Sequence, residues 1–141
     1  MSTSSSVGRG SVSENIVTLV LPREREFDPV AQLVLAGLGA RLGLTFESLD
    51  DLQLALAGLV EREESDQDLV VRFTIGDGMI ATEVGPFEAE SLRLELERDD
   101  LGGVGLRRLL DTMVDSVQLD EDASGVVVRL VKQVGLAPTQ S

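Results

Sequence analysis

Cysteine, histidine, tryptophan and tyrosine are all missing from this sequence. Because there is no cysteine, disulfides, thiolate nucleophiles and cysteine-ligated zinc are excluded. Because there is no histidine, the chain lacks the commonest general base and the commonest protein metal ligand, and a serine triad is excluded. Aromatic residues make up 3% of the chain and hydrophobic residues 43%, so we expect a core built from leucine and valine.

Positive charge is also scarce. The chain has 12 lysine and arginine residues against 25 aspartate and glutamate residues, which gives a net charge of -13. This balance argues against nucleic-acid binding, which needs a lysine- and arginine-rich surface, and against a polyphosphate held without a metal. Two explanations of the charge stay open: it steers a basic protein partner toward the chain, or it only keeps the protein soluble.

Long apolar runs are absent too. No stretch approaches the roughly 20 apolar residues that a membrane-spanning helix needs, and no signal peptide opens the sequence, so we expect a soluble, cytoplasmic protein. A chain of 141 residues suits one domain, which at this size buries roughly 68–70% of its unfolded surface. We predict this domain over residues 16–133, between disordered tails over 1–15 and 134–141.

A strand and a long helix are the first predicted elements. Ile16–Leu21 has the composition of a strand, and Asp28 can cap a helix that Gly43 ends. Gly37 and Gly39 lie inside this helix and weaken it by roughly 1 kcal/mol each relative to alanine, so we expect another element to approach closely there. The predicted buried face of the helix consists of Val30, Leu33, Val34, Leu38 and Leu42.

A second helix is predicted over residues 49–64, LDDLQLALAGLVEREE. Its apolar residues recur at helical spacing and form one stripe toward a core: Leu49, Leu52, Leu56, Leu59 and Val60. We predict Ser48 as the N-cap, with Asp51 three residues on as the second member of a capping box. Leu54 and Ala55 widen the apolar face, so we expect this helix to be covered on more than one side.

Strands at 69–75 and 79–84 form a predicted hairpin, because Asp77-Gly78 between them is a strong tight-turn signal. A ligand-binding carboxylate is the other interpretation of Asp77. The acidic segment 86–100 fits a strand, a short helix or a partly mobile lid, and we predict it to be irregular. Residues 101–117 are predicted to form a helix. Its inward residues are predicted to be Leu106, Leu109, Leu110, Met113 and Val117. Residues 117–119 and 126–131 complete a second hairpin.

The order of these elements predicts an α+β fold. Hairpins with helices segregated between them favour a two-layer sandwich, in which a mixed, mostly antiparallel sheet carries the helices on one face.

The glycines before the third helix are the one stretch that suggests a phosphate site. Backbone N–H groups at Gly102, Gly103 and Gly105 can approach an anion at a helix N-terminus. The acidic pair before them, Asp99 and Asp100, would repel phosphates, and the spacing matches neither a P-loop nor a Rossmann fingerprint. A plain flexible loop is the alternative. The remaining paired carboxylates have no EF-hand spacing and suit a solvated surface.

Three stretches together resemble the GHKL ATPase domain, and within it the anti-sigma serine kinases of the RsbW type. They are LDDLQLALAGLVER at 49–62, LVVRFTIGDGMIATEV at 69–84 and GGVGLRRLLDTMVDSV at 102–117. The resemblance covers residues 16–131, and it implies the GHKL (Bergerat-like) form of the α+β sandwich.

The family's catalytic groups do not carry over with the fold. Where the family has a general-base glutamate and, one helical turn later, an asparagine that holds magnesium, this sequence has Gly58 and Arg62. Where the family reads adenine with Asp-x-Gly, the matching residues are Pro86 and Glu88. What remains of a nucleotide site is the glycine box with an arginine that can bind phosphate directly: Gly102, Gly103, Gly105 and Arg62.

The resemblance therefore implies a non-catalytic, anti-sigma-factor-like binding protein with no catalytic residue, no metal and no required ATP or magnesium. Its expected partners are a sigma factor, a STAS-type antagonist, or a second copy in a homodimer. The alternative is an active serine kinase or ATPase in which Glu61 or Glu63 replaces the missing acid. An adaptor of the same fold with unrelated partners is a third interpretation, which the sequence does not separate from the first.

Overall fold

A computed structural model of the chain describes residues 10–13, 16–22, 28–60, 68–76, 78–97 and 105–133. Within these residues the chain forms six strands and four helices. They are β1 Gly10–Ser13, β2 Ile16–Leu21, α1 Asp28–Leu42, α2 Phe46–Val60, β3 Leu69–Gly76, β4 Met79–Phe87, α3 Ala89–Glu97, α4 Leu106–Met113, β5 Ser116–Asp122 and β6 Gly125–Gln133. None of these helices is long and apolar enough to cross a membrane.

The six strands form one sheet in the order β1-β2-β3-β4-β6-β5. The predicted α+β class is confirmed, but the expectation of a mixed sheet is wrong, because every neighbouring pair of these strands is antiparallel. Two helices in succession connect β2 to β3. After this connection β3 pairs with β2 in the antiparallel sense.

One face of the sheet is apolar and forms one side of the hydrophobic core. Leu19, Val71, Val84 and Val128 lie opposite one another on four neighbouring strands, and all four are buried. Because side chains alternate along a strand, the next residues face the other way. There Glu83 lies between Arg72 and Arg129, with oxygen–nitrogen distances of 3.6 and 3.8 Å. Helices cover the apolar face, as predicted.

The C-terminal end of α1 agrees with the prediction, and its buried face agrees except at Leu33. Gly43 follows the helix with φ of 71°, as expected of a glycine that ends a helix. Leu38 is buried as predicted, and Val30, Val34 and Leu42 are half-buried against the core. Leu33, predicted to be buried, is 70% exposed, and Ala31 and Leu35 are fully buried although they were not predicted. The helix is apolar on nearly every side, so its periodicity could not select one face.

Helix α2 begins earlier than predicted. Its first residue is Phe46, and the N-cap is Thr45, whose Oγ1 accepts a hydrogen bond from the Ser48 N–H at 3.1 Å. Ser48 is therefore the third helical residue and is buried, so its assignment as the cap is wrong. The predicted stripe is confirmed at Leu52, Leu56, Leu59 and Val60, which are all buried, while Leu49 is half-buried.

Three further predictions are corrected in the segments that flank the sheet. Residues 10–13, predicted to belong to a disordered tail over 1–15, form β1 and pair with β2. This pairing uses backbone N–H and C=O groups, which almost every residue has, so the side-chain pattern did not predict it. The segment 86–100, predicted to be irregular, contains the short helix α3, which was one of the alternatives, because Leu92 and Leu96 bury one helical face. The helix expected over 101–117 ends at Met113, and Val117 belongs to β5. The outer parts of both predicted tails, residues 1–9 and 134–141, lie outside the described residues.

Replacing Phe73 tests this core directly. Its side chain is fully buried, so we expect Phe73→Ala to lower the free energy of unfolding by about 3–5 kcal/mol, through lost burial and a residual cavity. Urea denaturation measures the loss. Leu94→Ala is the control, because Leu94 is 62% exposed, and it should stay within about 0.5 kcal/mol of the parent. Equal losses for the two variants would contradict the packing.

Candidate functional site

The site implied by the family resemblance lies where α4 packs against α2. A Cβ atom built on Gly58 would be 2.9 Å from Leu109 Cδ2 and 3.4 Å from Leu106 Cδ1. The first distance is shorter than real Cβ contacts, so α4 sits this close only because residue 58 has no side chain. The position that matches the family's general base is thus covered by two leucines.

An ion pair lies on the same face of α2, two turns earlier. Asp51 precedes Gly58 by seven residues, which returns to the same side of a helix. The Nζ atom of Lys132, on β6, is 3.1 Å from Asp51 Oδ2, and the two side chains are only 15% and 28% exposed. The pair therefore ties α2 to the sheet in a partly shielded setting, where it is worth more than a surface pair.

The start of α4 is built by backbone rather than by a capping side chain. Gly105 is the N-cap residue in an extended conformation, and no side chain caps the helix. Its carbonyl oxygen accepts a hydrogen bond from the Leu109 N–H at 2.9 Å. Arg107 and Arg108, which follow on α4, are exposed to solvent, and Arg107 Nε donates to Asp111 Oδ2 at 3.0 Å.

The structure brings together only part of the predicted site. Gly105 lies at the α2–α4 contact, since the next residue, Leu106, packs on Gly58. Arg62, Gly102 and Gly103 lie outside the described residues, as do Asp77, Glu61 and Glu63. Their assignment as remnant nucleotide-binding or catalytic groups stays a prediction.

The residues that match the family's adenine motif have structural roles here. Pro86 is half-buried in β4. Glu88 precedes α3, and its Oε1 atom accepts a hydrogen bond from the Ser91 N–H at 3.1 Å. This is the geometry of an N-cap, so Glu88 holds the start of α3.

Sequence reasoning missed the contact that fills this site. Leu106 and Leu109 were predicted to face inward, but not to cover Gly58, and no pattern in the sequence pointed to the pairing of Asp51 with Lys132. The one sequence signal for this contact is Gly58 inside an apolar stripe, with Leu106 and Leu109 three residues apart further along the chain. Among the described residues, no group of three or more acidic side chains is placed to hold a metal ion.

The α+β sandwich, with its helices on one face of an antiparallel sheet, is similar to known proteins. No family model matches the sequence. The chain is 25% identical over 142 residues to the serine-protein kinase RsbW of Listeria monocytogenes serotype 4a, with 83% of this chain and 88% of that protein aligned. It is 23% identical over 137 residues to RsbW of Bacillus subtilis, with 82% and 84% aligned.

A solved structure agrees with these relatives. The chain superimposes with a TM-score of 0.62 and 18% identity on the RsbU and RsbW domains of Rv1364c from Mycobacterium tuberculosis. The match covers 89% of this chain but only 34% of that longer one. The resemblance to the RsbW-type kinases and the α+β fold class are confirmed, and that the chain is a degenerate member stays a prediction.

Restoring an acid at position 58 tests the covered site. We expect Gly58→Glu to lower the free energy of unfolding by about 1–3 kcal/mol, because the new side chain must displace Leu109. Gly37→Glu is the matched control: it is also a helical glycine, but nothing lies within 4 Å of its Cβ. There, glutamate should be neutral or stabilise by about 0.5 kcal/mol through helix propensity.

A double-mutant cycle isolates the contact. The cost of Gly58→Glu should shrink in a Leu109→Ala background, because the displaced side chain is already gone. Chemical denaturation of the four variants gives the coupling. Strictly additive losses would show that Leu109 does not cover position 58.

Proposed function

We propose that this chain is a non-catalytic, anti-sigma-factor-like regulatory binding protein of a partner-switching system, derived from a serine kinase that has lost its magnesium and ATP residues. The observation that carries the proposal is the α2–α4 contact. Gly58 offers no carboxylate to orient a nucleophile, and Leu106 and Leu109 occupy the space in front of it.

Two further points support the loss of chemistry. Arg62 stands where the family holds magnesium with an asparagine, and a guanidinium repels a cation. Glu88, which matches a position of the family's adenine motif, caps the start of α3 instead. The relatives named serine-protein kinase align over more than four-fifths of the chain, so these differences occur within a retained framework.

Nucleotide titration separates the proposal from its alternative. We expect no heat of binding and no thermal stabilisation at nucleotide concentrations on the order of 1 mM, with ATP or ADP and with or without magnesium. Thermal stabilisation reports binding, because a bound ligand raises the stability of the folded protein in proportion to ln(1 + [L]/Kd). RsbW of Listeria monocytogenes, handled identically, is the positive control. Micromolar, magnesium-dependent binding would instead support an active kinase that uses Glu61 or Glu63.

Partner binding tests the regulatory half of the proposal. We propose a sigma factor or a STAS-type antagonist as the partner, in the cytoplasm, with a second copy of the chain in a homodimer as a further partner. Mixed with each such protein from its own cell, the purified chain should co-elute with at least one on size exclusion without added nucleotide. If it co-elutes with none of them, the anti-sigma assignment fails and an adaptor with unrelated partners remains.

A further inference from the structure

The outer face of α1 is unusually apolar for a surface helix. Asp28 and Arg41 are the only charged residues in its sequence. Leu33 is 70% exposed there, and Gly37 and Ala40 on the same side are exposed as well. A helix at the surface normally turns a polar face to water, and a contiguous exposed apolar patch is typical of an interaction site.

Helix α2 extends this face. Leu54 is 45% exposed and Phe46 is 84% exposed, on the side of α2 that points away from the sheet. We call the exposed residues of the two helices the outer α1–α2 surface: Leu33, Gly37 and Ala40 on α1, with Phe46, Glu47, Asp50 and Leu54 on α2.

Two reciprocal hydrogen bonds hold the two helices together beneath this surface. The Gln32 side chain donates to the Gln53 carbonyl oxygen at 3.2 Å, and the Gln53 side chain donates to the Gln32 carbonyl oxygen at 3.3 Å. The exposed leucines, Leu33 and Leu54, are the next residue on each helix. The surface is therefore preorganised, which reduces the entropy lost when a partner binds.

The shape of the surface suits a helix. On α1, Gly37 has nothing within 4 Å of the place a Cβ would occupy, and Ala40 follows on the same side. Small residues beside two projecting leucines let an approaching backbone come close, as in helix-in-groove recognition.

The acidic residues beside the outer α1–α2 surface favour one kind of binding partner. Glu47 and Asp50 are exposed at one flank, and α2 contains no basic residue. A second copy of the chain would bring the same acids and a net charge of -13 against them, with Arg41 as the one base on α1. A partner with lysine or arginine beside its apolar stripe instead meets complementary charge.

We propose that the outer α1–α2 surface binds an amphipathic helix of a partner protein, with a leucine-type stripe flanked by lysine or arginine. The inference deepens the proposed function, on which it rests for the existence of a protein partner, by naming the face and the chemistry that the partner presents.

A defined peptide tests the surface without knowledge of the partner. The probe is a peptide of about 14 residues of leucine and lysine, with the leucines at helical spacing. Two control peptides are a leucine–glutamate version with the same stripe and a leucine–lysine version with the residues in strict alternation. In NMR titrations of the full chain, only the probe should bind, with shifts confined to α1 and α2.

Paired variants assign the effect to the surface. Leu33→Glu should weaken probe binding at least about tenfold, since an apolar anchor at the centre of an interface carries much of the affinity. Leu94→Glu, at an exposed leucine of α3, should leave it unchanged. Equal binding of the glutamate peptide, shifts centred on α3 or α4, or an unaffected Leu33→Glu would overturn the proposal.

Two more results separate this inference from the proposed function. If a sigma factor or antagonist binds the parent chain and Leu33→Glu alike, the function stands and this surface is wrong. If the probe binds as expected while no sigma factor or antagonist does, the surface stands and the assigned partner class fails. A homodimer that Leu33→Glu converts to monomer by sedimentation would assign the face to a second copy and overturn the proposal.

Discussion

Close packing on both sides of α2 is the constraint on which the rest of this structure depends. On one side Gly39 of α1 receives Leu49 of α2, with 3.1 Å between the Leu49 Cδ1 atom and the place of a Cβ on the glycine. On the other side Gly58 of α2 receives Leu109 of α4. In each contact a leucine of a neighbouring helix fills the space left by the missing side chain of a glycine, as expected in an interior packed to crystal-like density.

The same packing decides what α2 can present. The family resemblance associates α2 with phosphate chemistry. In this chain the C-terminal half of α2 has Gly58, which is covered by leucines, and its N-terminal half has Asp51, which is paired with Lys132 and partly shielded from solvent. Neither arrangement leaves a carboxylate facing an open cavity. The apolar residues exposed on α1 and on the outer side of α2 lie away from that contact, so the proposed partner surface and the residues that match the family's nucleotide site occupy different parts of one helix pair.

Prediction from sequence succeeded in segments whose apolar residues fit only one periodic pattern, helix or strand. The stripe through Leu52, Leu56 and Leu59 and the two hairpins are strong local patterns, and the structure has them. It failed where two patterns fitted one segment. Leu92, Leu94 and Leu96 alternate like a strand, yet Leu92 and Leu96 also lie one helical turn apart, and burial of that pair forms α3. In α1 nearly every position is apolar, so the exposure of Leu33 could not be foreseen.

The sequence by itself determined the α+β class, the order of most elements, the family resemblance and the absence of histidine, cysteine and the expected acid at position 58. These follow from residue identity and short-range periodicity, which are properties of the chain alone. Only the tertiary structure decided that the sheet is wholly antiparallel, that leucines of α4 cover Gly58 and that Lys132 reaches Asp51. Such contacts join residues far apart in the chain, 81 positions apart for that ion pair, and folding selects them through packing that no local pattern encodes.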